Sequence, residues 1–110
     1  MNNPPDGIVT FLFTDIEGST KLAQQFPDTL PKALLRHHEI LHKSIETHNG
    51  YVFEIIGDAF CAAFNSPLDA INSACEIQKK LKDEEWQESH QREMSPMRYE
   101  GLQNRRITQT

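Results

Sequence analysis

Apolar and polar positions alternate, cluster and break along the chain in a way that predicts most of its elements. Ile8-Val9-Thr10-Phe11-Leu12-Phe13 is apolar apart from Thr10, rich in β-branched and aromatic residues, and bounded upstream by Pro4, Pro5 and Gly7. That pattern predicts a strand buried on both faces. Gly18 to Phe26 follows as a short helix, stopped near Pro27. Leu30, Leu34, Leu41 and Ile45 recur at near-helical spacing with Ala33 and Leu35 beside them, which predicts a longer amphipathic helix from Pro31 to His48. Pro31 suits its first turn, and Asn49-Gly50 ends it, with glycine as the left-handed terminator. Tyr51 to Phe64 reads as two strands turning at Gly57-Asp58. A third helix opens at Asn65-Ser66-Pro67, with Ser66 as N-cap, and runs to about Lys82. Its apolar face is expected at Leu68, Ile71, Ala74, Cys75, Ile77, Gln78 and Leu81.

The order β-α-α-β-β-α predicts an α+β, ferredoxin-like sandwich that needs one more strand to finish its sheet. From Asp83 the pattern fails: Trp86, Met94, Met97, Tyr99, Leu102 and Ile107 are scattered without a period. At best Pro96 to Leu102 is a poor strand. The expected organisation is therefore the larger part of one domain over residues 7–82, incomplete at its C-terminal side, and a divergent polar tail over 83–110. A chain of 110 residues holds at most one domain.

Charge and cysteines narrow the class. The net charge of −5 offers no basic surface for nucleic acid or an anionic membrane. No apolar run approaches a membrane span, and Met1-Asn2-Asn3-Pro4-Pro5 lacks the organisation of a signal peptide. Cys61 and Cys75 match no metal-ligand spacing and read as reduced core residues of a cytoplasmic protein.

Two carboxylates carry the candidate chemistry. Asp15 follows the first core strand directly, where it is well placed to hold a hard cation such as Mg²⁺. Ser19 and Thr20 open a helix whose first N–H groups favour a phosphate. Asp58 sits at the turn between the second and third strands. If the first and third strands are neighbours, both aspartates reach one end of the sheet, and two such carboxylates repel unless a divalent cation lies between them. The plainer alternatives stand beside this: a strand–Asp–turn–helix passage also caps ordinary helices, and Gly-Asp is a common turn.

Phe11-Leu12-Phe13-Thr14-Asp15-Ile16-Glu17-Gly18-Ser19-Thr20, taken with Ile56-Gly57-Asp58-Ala59-Phe60, resembles the class III nucleotidyl cyclases, the adenylate and guanylate cyclase catalytic domains, most of all their bacterial members. His48-Asn49-Gly50 and Ala70 to Leu81 are similar too, so the resemblance runs from about Gly7 to Leu81. It implies a lyase of intracellular signalling, forming cAMP or cGMP from ATP or GTP with release of pyrophosphate. By the same resemblance Asp15, Asp58 and the carbonyl of Ile16 bind two Mg²⁺ or Mn²⁺ ions, and Glu17, Gly18 and Ser19 lie along the triphosphate. Glu54 occupies the position where adenylate cyclases carry a base-reading lysine. A carboxylate accepts from the N1–H and amino group of guanine, as in guanylate cyclases, although Glu54 also suits the polar side of a half-buried strand.

The family's transition-state asparagine and arginine are not matched, so no complete catalytic set is expected. Tyr99 to Arg105 is faintly similar to the asparagine-bearing segment, but four residues beyond Asn104, where the arginine belongs, stands Thr108. Family members are head-to-tail dimers, which implies a homodimer that is inactive alone, or a heterodimer with a full-length cyclase domain. A non-catalytic module that binds nucleotide or a cyclase partner fits the same residues. A rival pattern, His38-Glu39-Ile40-Leu41-His42, spells the H-E-x-x-H of zinc peptidases, with His48 downstream. Against it, Ile45 stands where the longer form of that motif requires glycine, and it continues the apolar face of the helix.

Overall fold

The β-branched and aromatic run after Gly7 forms strand β1 (Gly7–Asp15), and the rest of the chain assembles on it. The computed structural model describes residues 2–16, 19–84 and 98–107. Along the chain follow α1 (Ser19–Gln25), α2 (Leu30–Thr47), β2 (Tyr51–Ile56), β3 (Ala59–Phe64), α3 (Pro67–Asp83) and β4 (Arg98–Ile107). The sheet order is β2-β3-β1-β4, with β1 antiparallel to both neighbours, which is the ferredoxin-like arrangement.

The strand missing from the sequence pattern is therefore in the fold. β4 lies against the whole length of β1, from Gly7↔Ile107 to Asp15↔Arg98. Within the segment expected to be a polar tail, Arg98–Ile107 forms this strand, and its pattern is weak because main-chain pairing with a central strand, rather than an apolar period of its own, recruits it. Both outer strands of the described sheet carry one extra residue, at adjacent steps along β1. The register slips between Val52 and Glu54 in β2, and on the other edge Phe13 pairs with Gly101 but Thr14 with Tyr99.

One face of the sheet meets the helices. Leu12, Phe60, Ala62 and Phe64 pack on Ile40, Leu41 and Ile45 of α2 and on Ala70, Ala74, Ile77 and Leu81 of α3. The other face carries Phe11, Phe13 and Phe53, whose rings touch at 6.0 and 5.6 Å. Phe11 and Phe13 are only half-buried, so β1 is covered fully on one face, not two. The buried side of α3 is also narrower than its apolar pattern: Leu68 and Ile71 are 64% and 46% exposed, and Cys75 is exposed. Alanines 70 and 74 face the sheet instead, because small side chains let the helix lie close to it. Cys61 is buried, and both cysteines are free.

Helix boundaries follow local chemistry. Ser66 accepts a hydrogen bond from the Asp69 N–H at 3.3 Å, as a capping serine should. At the end of α2 the Gly50 N–H bonds to the Ile45 carbonyl at 2.8 Å and the Asn49 N–H to the Glu46 carbonyl at 3.1 Å, the 6→1 and 5→2 pair of a Schellman ending. Asn49, with φ of 64°, takes the left-handed conformation there, not Gly50. Gly50 is needed for space: a Cβ at this position would lie 2.5 Å from the Phe64 ring and 2.6 Å from Ile45. Gly50→Ala is therefore expected to destabilise the fold by about 1–3 kcal/mol in urea melts.

His37 is the unusual core residue. It is fully buried on α2, and neither ring nitrogen meets a hydrogen-bond partner among the described residues. Burial, with a smaller contribution from His38, pushes its pKa down to about 4. Unfolded, it titrates near 6.5, so between those values the unfolded chain holds the extra proton. Stability present above pH 6.5 is lost as the pH falls through that window, by at most roughly 1.4 kcal/mol per pH unit. Melts at pH 7 and pH 5 should record the loss, and His37→Phe should flatten it.

Candidate functional site

The two aspartates emerge at one end of the central strand pair. β1 and β3 pair from Thr10↔Phe64 to Phe13↔Cys61. Just beyond, the Phe60 N–H donates to Thr14 Oγ1 at 3.1 Å, which sets Thr14 and Asp15 beside the start of β3. Asp58 belongs to the β2–β3 turn immediately before that start, where Gly57 takes a φ of +62°. Both carboxylates are half-buried.

The chain leaving β1 is held by packing as well as by pairing. Asp15 Oδ1 accepts the Ile16 N–H at 2.8 Å, which orients the carboxylate at the strand end. Ile16 itself is 3% exposed and packs with Leu30, against which Phe26, Ala33 and Leu34 also lie. An apolar side chain thus anchors a backbone carbonyl beside a carboxylate. Glu17 and Gly18 lie outside the described residues, and Ser19 is the first residue of α1.

Glu54 is exposed on β2 and is the register partner of Cys61, which in turn pairs with Phe13. Burial, and secondarily the Glu54 charge, raise the Cys61 thiol pKa, so the thiol stays protonated. Asp15 also has a cationic residue as its cross-strand partner, Arg98 of β4, which the sequence reading had not placed there. No local pattern could have found it, because the register of β4 comes only from pairing. Asn104 pairs with Thr10, five residues back along β1 from Asp15.

The H-E-x-x-H histidines serve a different purpose. The rings of His38 and His42 stand edge-on to Phe60 at 5.1 and 5.2 Å, and that of His37 at 6.3 Å. Burial lowers the His38 pKa, helped by His42 and opposed by Asp58. Glu39 accepts from Arg36 at 3.3 Å on the surface, and the His48 ring bonds to the Ser44 carbonyl at 2.8 Å. Among the described residues no three His, Cys, Asp or Glu side chains group as metal ligands. The zinc-peptidase reading of His38, Glu39 and His42 finds no support: packing around Phe60 accounts for the histidines. No described helix is long and apolar enough to cross a membrane.

Comparison with known proteins fits this geometry. Residues 1–103 match the adenylate and guanylate cyclase catalytic domain, so the match continues past Leu81 and into β4. An adenylate cyclase of Lachancea kluyveri is 39% identical over 85 residues, 77% of this chain and 5% of the relative. A receptor-type adenylate cyclase of Trypanosoma brucei brucei is 36% identical over 101 residues, 88% of this chain and 8% of the relative. Among solved structures, a Trypanosoma brucei adenylate cyclase in its monomeric state superposes with a TM-score of 0.71 at 36% identity, over 78% of this chain and 36% of that one. The chain thus spans only 5% and 8% of the length of these two curated relatives and 36% of the solved chain. It belongs to the adenylate and guanylate cyclase catalytic domain family, the class III nucleotidyl cyclases.

Proposed function

We propose that this chain supplies the metal- and triphosphate-binding part of a nucleotidyl cyclase site, which closes a nucleoside triphosphate to its 3′,5′-cyclic monophosphate with release of pyrophosphate. The observation that supports it best is the emergence of Asp15 and Asp58 at one end of the β1–β3 pair. The donor set is all oxygen, two carboxylates and the Ile16 carbonyl, which suits Mg²⁺ or Mn²⁺ and not a soft metal. A pair of such ions, when bound, would activate the ribose 3′-hydroxyl and neutralise charge on the phosphates.

The protein's own part is to orient. Asp15, whose carboxylate accepts the Ile16 N–H, and Asp58, in the β2–β3 turn, would supply their carboxylates from the same end of the sheet. Glu17, Gly18 and Ser19, which in the sequence precede and open α1, would bind the triphosphate. Glu54 reads the base and, as an acceptor only, favours guanine over adenine. A transition-state arginine comes from a second cyclase domain, in a homodimer or a heterodimer with a longer chain. Without that donor, turnover by these 110 residues alone falls by a factor of roughly 10²–10³ or more. The site draws on the cytoplasmic nucleotide pool.

The test is cyclic nucleotide production and metal-dependent thermal stability of the chain, with ATP or GTP in Mn²⁺ or Mg²⁺. The expected outcome is a rise in melting temperature with Mn²⁺ that Asp15→Ala and Asp58→Ala each abolish, with product formed only when a full-length cyclase domain is added. GTP should compete for the site better than ATP, and Glu54→Lys should reverse that order. A melting temperature indifferent to Mn²⁺ and to both alanine substitutions would sink the proposal.

A further inference from the structure

Strand β1 reaches the aspartate end by way of a change in how it is tied to its neighbours. Paired positions with β3 end at Phe13↔Cys61. One step further the tie is a side chain, because the buried Phe60 N–H donates to Thr14 Oγ1 at 3.1 Å. On the opposite side of the same residue, the β1–β4 register slips between Phe13 and Thr14. Thr14 is 1% exposed, so its hydroxyl bonds the amide without competition from water. The next residue along β1 is Asp15, and Asp58 stands two residues before Phe60.

We infer that Thr14 is a positioning residue for the cation site, its hydroxyl fixing the separation of the strand ends that carry Asp15 and Asp58. This rests on the metal-binding reading above. A main-chain ladder spaces strands by backbone geometry alone. Where the register shifts on one side and pairing stops on the other, that constraint relaxes, and a short β-branched side chain with few rotamers takes it over. Valine has the same shape but no acceptor. It would leave the Phe60 amide buried and unmet, so the strand ends part to admit a partner for it. Two ligands that share one small cation tolerate little change in separation, and outer residues that orient metal ligands commonly change affinity by 10–100-fold when removed.

The experiment measures Mn²⁺ affinity directly, from the free-ion electron paramagnetic resonance signal, at a temperature below the melting transition of each variant that folds. Thr14→Val should weaken binding by about tenfold, whereas Thr14→Ser, which keeps the hydroxyl, stays within about twofold of the parent. Thr10→Val is the control for a merely structural effect. Thr10 is also buried, on the same face of β1 but away from Asp15, and its substitution should lower the melting temperature while leaving Mn²⁺ affinity unchanged. If Thr14→Val does not fold, Thr14→Cys replaces it, since a thiol is a weak acceptor and should give an intermediate loss. Parent-like affinity in the valine or cysteine variant, with binding still abolished by Asp15→Ala, overturns the role of Thr14 and leaves the metal site standing. No Mn²⁺ binding by the parent chain overturns both.

Discussion

The central position of β1 is the constraint from which the other features descend. A strand with neighbours on both sides satisfies its main-chain groups inward and outward, so its own sequence is free to be almost wholly apolar. The helices then need to cover only one face, through Leu12 and the β3 residues Phe60, Ala62 and Phe64. Because β1 ends in Asp15 and β3 begins just after Asp58, the same pairing that builds the core also brings the two strand ends that carry these aspartates to one end of the sheet, with Arg98 of β4 as the register partner of Asp15.

Much of this was legible in the sequence because it is encoded locally. The bounds of α2 and α3 came from periodicity and from Ser66 and the two prolines, and the β2–β3 turn from Gly57-Asp58. The aspartates were legible because each sits at the end of an element whose end is itself predictable. The features that were not legible are those set by partners. The sequence offered only a poor strand over Pro96 to Leu102, and the register of Arg98–Ile107, which sets Arg98 opposite Asp15, is a property of two segments together. The rotation of the buried face of α3 away from Leu68 and Ile71 has the same origin, since steric fit to the sheet outranked the apolar count.

The histidines of α2 show how a motif can be present without its chemistry. Spacing of four on a helix brings two rings to one side whatever they touch. Here they touch Phe60, and a third ring, His37, joins them from inside the core. Aromatic edge contacts and a coordinating metal ask for the same spacing but different surroundings, and only the surroundings separate them.

The sheet order also dictates a schedule. β1 is made first, yet its β4 partners come very late: Ile8 and Arg106 pair across 98 positions of chain. At roughly 5–20 residues per second, that leaves the most apolar stretch of the protein waiting about 5–20 seconds for its second neighbour during synthesis. Until then it offers a bare strand edge to any other chain nearby. The hazard of this fold therefore lies in its birth more than in its finished state. Among the described residues the outer strands of the assembled sheet are β2 and β4, each interrupted by an extra residue that makes a poor template for further pairing.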